Sequence, residues 1–290
     1  MPSLWMLFAS FAFAIMGATV KLASAQYSIF EIVLYRGLAG VVILFVLARR
    51  KKGTLVTTAP FAHLSRGLVG VASLWLWFSS IAQLPLATAV TLNYLSPIWT
   101  AAFLTAAAFW RGGEAVRWPL VAAILLSFSG VMLVLQPAFA AEQWGAALMA
   151  LGSGMLAALA YLLVRRLSRA GEPEYRVVFY FSLMNVLVGL AGVTDWHAHS
   201  WSGAALLLAV GVSGTAGQVA LTRAYRVGRT LVVANLQYTG IVFSSVLGFL
   251  IWDDRFGWHV WLGMAVILGS GVAATFYNLH NTARAARTAA

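Results

Sequence analysis

Apolar residues run in long blocks along this chain, and short polar clusters punctuate them. Ten blocks can be drawn, at about 4–22, 30–48, 63–82, 87–109, 117–136, 144–164, 176–193, 201–222, 230–252 and 258–278. Most approach the ~20 residues an α-helix needs to cross a hydrocarbon core of ~30 Å. The breaks carry turn or charge signals: Arg49-Arg50-Lys51-Lys52-Gly53, Arg111-Gly112-Gly113-Glu114, Gln136-Pro137, Gly171-Glu172-Pro173, Asp195-Trp196-His197 and Asp253-Asp254-Arg255. None is long enough to house a separate soluble domain. The pattern predicts an all-α integral membrane protein of ten transmembrane helices. The first block ends near Ala23-Ser24-Ala25, which has the look of a signal-peptide cleavage site. No basic region precedes it, and Lys21 sits just before the would-be cut, so residues 4–22 are read as the first helix.

One block is polar where it should be most apolar. Between Ala87 and Phe109 lie Asn93, Tyr94, Ser96, Pro97 and Trp99. Hydrocarbon offers these groups no partners, so they must be satisfied within protein or by a ligand. Pro97 donates no backbone N–H and frees a carbonyl one turn earlier, near Asn93, which makes it a candidate hinge. The same register returns 144 positions later, where Leu92-Asn93-Tyr94 becomes Leu236-Gln237-Tyr238. Further on, Ser129-Gly130-Val131 matches Ser270-Gly271-Val272. The chain therefore reads as a duplication: residues 1–137 form a first five-helix repeat, 143–280 a second, and 281–290 a cytoplasmic tail. Five is odd, so the two copies insert with opposite orientation. Inverted repeats of this kind mark alternating-access transporters, with the site near the midplane between the repeats. Because the second copy has no counterpart to Pro97, the first copy is expected to bend and the second to stay straighter.

Charge orients the helices. The second, fourth, sixth and eighth connections and the tail hold almost all the basic residues, Arg66 among them in the second; the exceptions are Lys21, Arg36 and Arg255. That alternation places both termini in the cytoplasm of a bacterial-type inner membrane. It also explains the net charge of +11 without nucleic acid, because the basic residues lie between apolar spans rather than along one stripe. Composition agrees. The chain is 61% hydrophobic and 9% charged, against roughly 25% charged in soluble domains. Its mean hydropathy is +0.85. It has no cysteine, which removes thiolate metal sites and cysteine nucleophiles.

Leu84-Pro85-Leu86-Ala87, then Leu95-Ser96-Pro97 ahead of a Gly113-Glu114 turn, together with Tyr35-Arg36-Gly37 in the second span, resemble the EamA family of the drug/metabolite transporter superfamily. The resemblance covers nearly the whole chain. It departs in the second half, where Trp252-Asp253-Asp254 stands for the usual Gly-Glu and Gly240-Ile241 for Ser-Pro. It implies ten spans as five plus five and movement of small organic solutes, a range that includes amino acids, nucleotide-like metabolites and drugs. His63, Arg66-Gly67 and Thr88-Ala89-Val90 also resemble the S-adenosylmethionine branch of that family.

The residues expected to meet substrate are Asn93, Tyr94, Ser96, Trp77, Tyr161, Gln218, Asn235, Gln237 and Tyr238, all polar or aromatic within spans. Lys21, Glu31, Tyr35 and Arg36 form a candidate gate or charge pair near the outer mouth. Two readings of Arg36 stay open: it pairs with Glu31 or helix-end carbonyls, or it binds a substrate carboxylate. No catalytic set, nucleotide-binding loop or metal-ligand spacing appears, so no enzyme activity, metal or cofactor is expected. The expected partners are a small organic solute and the lipid bilayer, with the chain acting as a monomer or homodimer. Secondary transport of an amino acid or similar metabolite is the reading, with a nucleoside-like cation such as S-adenosylmethionine as the alternative and a membrane-embedded enzyme as the different-class rival.

Overall fold

A computed structural model describes residues 2–84, 86–111, 118–135, 141–194, 196–197, 200–252 and 257–289. Those residues form α1 (Pro2–Ala23), α2 (Ile29–Arg50), α3 (Pro60–Gln83), α4 (Leu86–Asn93), α5 (Ser96–Arg111), α6 (Trp118–Leu135), α7 (Trp144–Arg169), α8 (Glu174–Gly192), α9 (Trp201–Val227), α10 (Thr230–Leu236), α11 (Thr239–Trp252) and α12 (Trp258–Ala289). Among the described residues there is no strand. Seven stretches are long and apolar enough to cross a membrane: α1, α2, α3, α7, α8, α9, and α10 with α11 taken together. Trp118–Leu133 and Trp258–Ala274 are shorter apolar helices. The last helix continues through the segment expected to be a tail. The Gly113-Glu114 turn, Arg117, Pro85, Pro137 and Asp253-Asp254-Arg255 lie outside the described residues.

Local signals set several helix ends. Ser28 and Glu31 form a reciprocal cap on α2, each side chain bonding the other's backbone N–H. Ser200 caps α9 by accepting from the Gly203 N–H at 3.0 Å. Pro60 occupies the first turn of α3, where a missing N–H costs nothing.

The main packing partners are α1 with α9, α2 with α8, α3 with α7, and α6 with α12. Side chains such as Val42, Leu148 and Leu208 point outward and suit a lipid surround. The α2–α8 crossing is close enough to demand glycine. A Cβ added at Gly189 would stand 2.7–2.8 Å from the backbone N, Cα and Cβ of Leu34. Backbone cannot rotate away, so Gly189→Ala is expected to lower stability by about 1–3 kcal/mol. A thermal melt in detergent reads this as a reduced midpoint; an unchanged midpoint would mean the helices separate freely.

The fourth and ninth predicted blocks are both interrupted. The first breaks at Tyr94-Leu95, between α4 and α5, and the second at Gln237-Tyr238, between α10 and α11. This corrects the expectation that the copy without proline stays straighter. In the first copy Pro97 lies in the opening turn of α5, after the break. In the second, the turn closes through shorter-range bonds: Tyr238 N–H to Asn235 C=O at 3.2 Å, Gly240 to Gln237 at 3.0 Å and Ile241 to Tyr238 at 3.0 Å. Tertiary contacts replace proline as the cause. The Ser10 hydroxyl donates to the Gln237 carbonyl at 3.4 Å, and the Tyr94 hydroxyl fills the space a side chain at Gly240 would need.

Candidate functional site

The two interruptions border one cavity. It is open to one side, holds about 80 Å³ of free space, and takes walls from α1, α3, α4, α7, α8 and α9 as well as both breaks. Six of the residues expected to meet substrate line it: Trp77, Asn93, Tyr94, Tyr161, Gln218 and Gln237. The Asn93 amide donates to the Ser153 hydroxyl at 2.8 Å, and Ser153 in turn donates to the Ala150 carbonyl. The Gln237 amide donates to the Tyr161 hydroxyl at 3.1 Å and lies 3.4 Å from the Ser96 hydroxyl. Ser96 is therefore buried just behind the wall. Tyr238 stacks on Tyr94 with ring centroids 6.2 Å apart. Asn235 turns away from the cavity. Its amide oxygen accepts from the Ser127 hydroxyl at 2.7 Å, and Ser127 also touches Ser270, so this polar set joins α10 to α6 and α12.

Polar groups inside the wall remain unspent. Among the described residues the Trp77 indole N–H and the Gln237 amide oxygen have no hydrogen-bond partner. A buried polar group left unpaired costs about 1–3 kcal/mol, so such groups concentrate where a ligand completes them.

Of the pairings open to Arg36, the one with Glu31 does not form. Five positions along a helix turn it by about 140°, so the two side chains leave α2 in different directions. Glu31 bonds the Ser28 N–H at 2.9 Å, the His197 N–H at 3.0 Å and His197 Nδ1 at 2.6 Å. It thereby ties the α1–α2 connection to the α8–α9 connection. Lys21 is exposed in the last turn of α1 and Tyr35 is half-buried; neither lines the cavity. Arg36 is 2% exposed and places its guanidinium 5.0 Å from the centre of the Phe181 ring.

Arg66 was expected in a cytoplasmic connection. It instead lies within α3, is 2% exposed and lines the cavity. Its Nη2 donates to the Gln218 amide oxygen at 3.2 Å, and its guanidinium stands 4.1 Å from the same Phe181 ring. Burying a guanidinium is costly unless it is paired, and a cation–π contact returns only about 0.5–2 kcal/mol. Its place inside the apolar run 63–82 was the available signal, overridden because a basic residue near a span end satisfies the charge rule equally well.

A second tie lies at the other end of the bundle. Glu172, between α7 and α8, accepts from the Thr57 hydroxyl at 2.6 Å and from Arg176 Nη1 at 2.8 Å. His63 Nε2 lies 3.4 Å from the same carboxylate. Arg176 and Tyr180 also donate to the carbonyls of Thr54 and Leu55, which straps the α2–α3 connection onto α8. Burial alone pushes the Glu172 carboxyl up, but Thr57, Arg176 and His63 together hold it below the ordinary value. The anion therefore contributes stability that is complete above the unfolded value and is lost as pH falls through the folded one. Unfolding temperatures should drop as pH falls below about 4, and Glu172→Gln should flatten that drop. A profile identical in both proteins would remove Glu172 from the account.

Comparison with known proteins follows the same line. A family model described as the EamA-like transporter family matches residues 1–136 and 144–276. The chain is 34% identical over 251 residues to a pseudopaline exporter of Pseudomonas aeruginosa, covering 85% of this chain and 86% of that one. It is 29% identical over 279 residues to a riboflavin transporter of Vibrio cholerae, covering 92% and 90%. It is 24% identical over 230 residues to an S-adenosylmethionine uptake transporter of Rickettsia conorii, covering 78% and 75%. A solved crystal structure with 20% identity superposes with a TM-score of 0.77 over 94% of this chain and 96% of that one, a likeness of fold alone.

Proposed function

The chain belongs to the EamA-like transporter family, and from that premise we propose that it is a secondary transporter carrying a small organic metabolite, an amino acid or similar solute, across the bacterial inner membrane by alternating access. Its family and relatives are named as transporters rather than enzymes. The observation that carries the reading is the cavity walled by both halves of the chain between two interrupted helices. Polar side chains and irregular backbone at membrane depth are tolerated where they line such a cavity, and paired broken helices at a midplane site are a transporter device.

Packing supports an inverted repeat of residues 1–137 and 143–280. If each helix of the first five corresponds to one of the second, α1 on α9 is the mirror of α7 on α3, while α2 on α8 and α6 on α12 mirror themselves. Those are the four most extensive helix contacts among the described residues. The two carboxylate ties follow the same relation. Glu31 joins the α1–α2 connection to the α8–α9 connection, and Glu172 joins the matching α7–α8 connection to the α2–α3 segment. With both termini cytoplasmic, Glu31–His197 is the outer latch and Glu172 with Thr57, Arg176 and His63 the inner one. Opening one while the other holds is the motion alternating access requires.

A thermal-shift screen of purified protein against amino acids, nucleosides and S-adenosylmethionine, followed by flux into liposomes, tests the function. Saturable flux of a binder supports it. Binding with no flux in either direction would contradict it.

A further inference from the structure

The cavity carries a fixed positive charge and, among the described residues, no acid lines it. We propose that Arg66, supported by Arg36, is the recognition element for a small organic anion, so that the substrate bears a carboxylate or phosphate group. This rests on the transport reading of the same cavity.

The seat of Arg66 is built rather than incidental. A side chain at Gly70 would collide with Arg66 Nη1, so glycine there keeps the guanidinium's place open. Gln218 holds Nη2 and Phe181 supports the plane. Both guanidiniums stand against that one ring. An aromatic face attracts a cation but neutralises no charge, and a second cation on the same ring adds repulsion that an anion nearby relieves. Among the described residues, Glu31 is committed to Ser28 and His197, Glu172 to Thr57, Arg176 and His63, and Glu174 to Arg226, while Glu142 lies in the α6–α7 connection. Among the described residues, Nε and Nη1 of Arg66 and Nε and Nη2 of Arg36 have no acceptor. Carboxylate and phosphate oxygens are the acceptors that match a guanidinium fork. Phe13, Leu74 and Trp77 supply an apolar surface for the rest of such a molecule. The same field repels a cation, which sets the site against a positively charged nucleoside.

The test uses the whole protein in lipid nanodiscs and in liposomes. Five probes are compared: L-glutamate and citrate as carboxylates, glucose 6-phosphate as a phosphate ester, riboflavin as a neutral flavin and S-adenosylmethionine as a cation. At least one anion is expected to raise the unfolding temperature and to be carried into liposomes, and the carboxylate and phosphate arms separate the two sources. Arg66→Gln should weaken that binding at least tenfold, and Arg66→Lys should restore part of it. Gln218→Glu keeps the shape of the site and places a carboxylate against Arg66, so it should weaken anion binding even where Arg66→Gln fails to fold. Silence from all three anions, or an anion bound equally well by Gln218→Glu, overturns the assignment. Transport of riboflavin or S-adenosylmethionine without any anion overturns the substrate class and leaves the transport reading standing. Transport of none of the five counts against the transport reading itself.

Discussion

Glu172→Gln is expected to shift the resting protein toward a form open to the cytoplasm, and Glu31→Gln toward a form open to the outside. Each substitution keeps the shape of its side chain and removes the charge. At Glu31 the cap on α2 survives, because glutamine serves in a capping box as glutamate does. The two effects should differ in size. Glu172 is 2% exposed and its partner Arg176 12% exposed, so that pair is shielded from solvent. Hydrogen bonds to a charged group contribute about 1.5–3 kcal/mol, which moves a two-state balance roughly ten- to a hundredfold. His197 is 47% exposed, so the outer pair is screened and its removal should shift the balance less. Equal accessibility from both sides in wild type and both variants would show that neither tie restrains an opening.

Gln237→Leu is expected to cut flux at least tenfold while leaving most of the fold in place. The Gln237 side chain is one polar bridge between the two halves, reaching Ser96 in α5, and it also holds Tyr161 in α7. Leucine has similar bulk but leaves the Tyr161 and Ser96 hydroxyls short of a donor at the cavity wall. Two lost hydrogen bonds at about 1 kcal/mol each are enough for a tenfold loss if they hold the substrate-bound form. Asn235→Leu is the internal contrast. It disturbs the Ser127–Ser270 set outside the cavity, so it should lower the unfolding temperature with little change in flux per folded molecule. The reverse pattern would place the site on the α6–α12 side.

Much of this was legible from the order of residues. Apolar blocks marked most helices, although two blocks are each broken in two and the last helix runs on to Ala289, and the Leu92-Asn93-Tyr94 and Leu236-Gln237-Tyr238 register pointed to the two elements that border the cavity. What stayed hidden was direction. Arg66 near a helix end satisfies the charge rule whether it faces cytoplasm or cavity, and only its neighbours Gly70, Gln218 and Phe181 decide between them. Glu31 has local candidates along its own helix, yet its partner is His197, 166 positions away. The second interruption carries no proline. Its cause is Tyr94 and Ser10 packed against Gly240 and Gln237, contacts between segments that sequence spacing does not reveal.

Alternating access requires that one cavity be reached in turn from the two sides of the membrane. The chain contains no cysteine, so a single Ala157→Cys in the cavity wall can be followed without background. Right-side-out and inside-out vesicles are treated with a membrane-impermeant maleimide and the rate of modification is measured from each side. Modification is expected from both sides, faster from the cytoplasmic and slower from the outer side with Glu172→Gln, and the reverse with Glu31→Gln. Modification from one side only, with a ratio neither latch substitution changes, would contradict it.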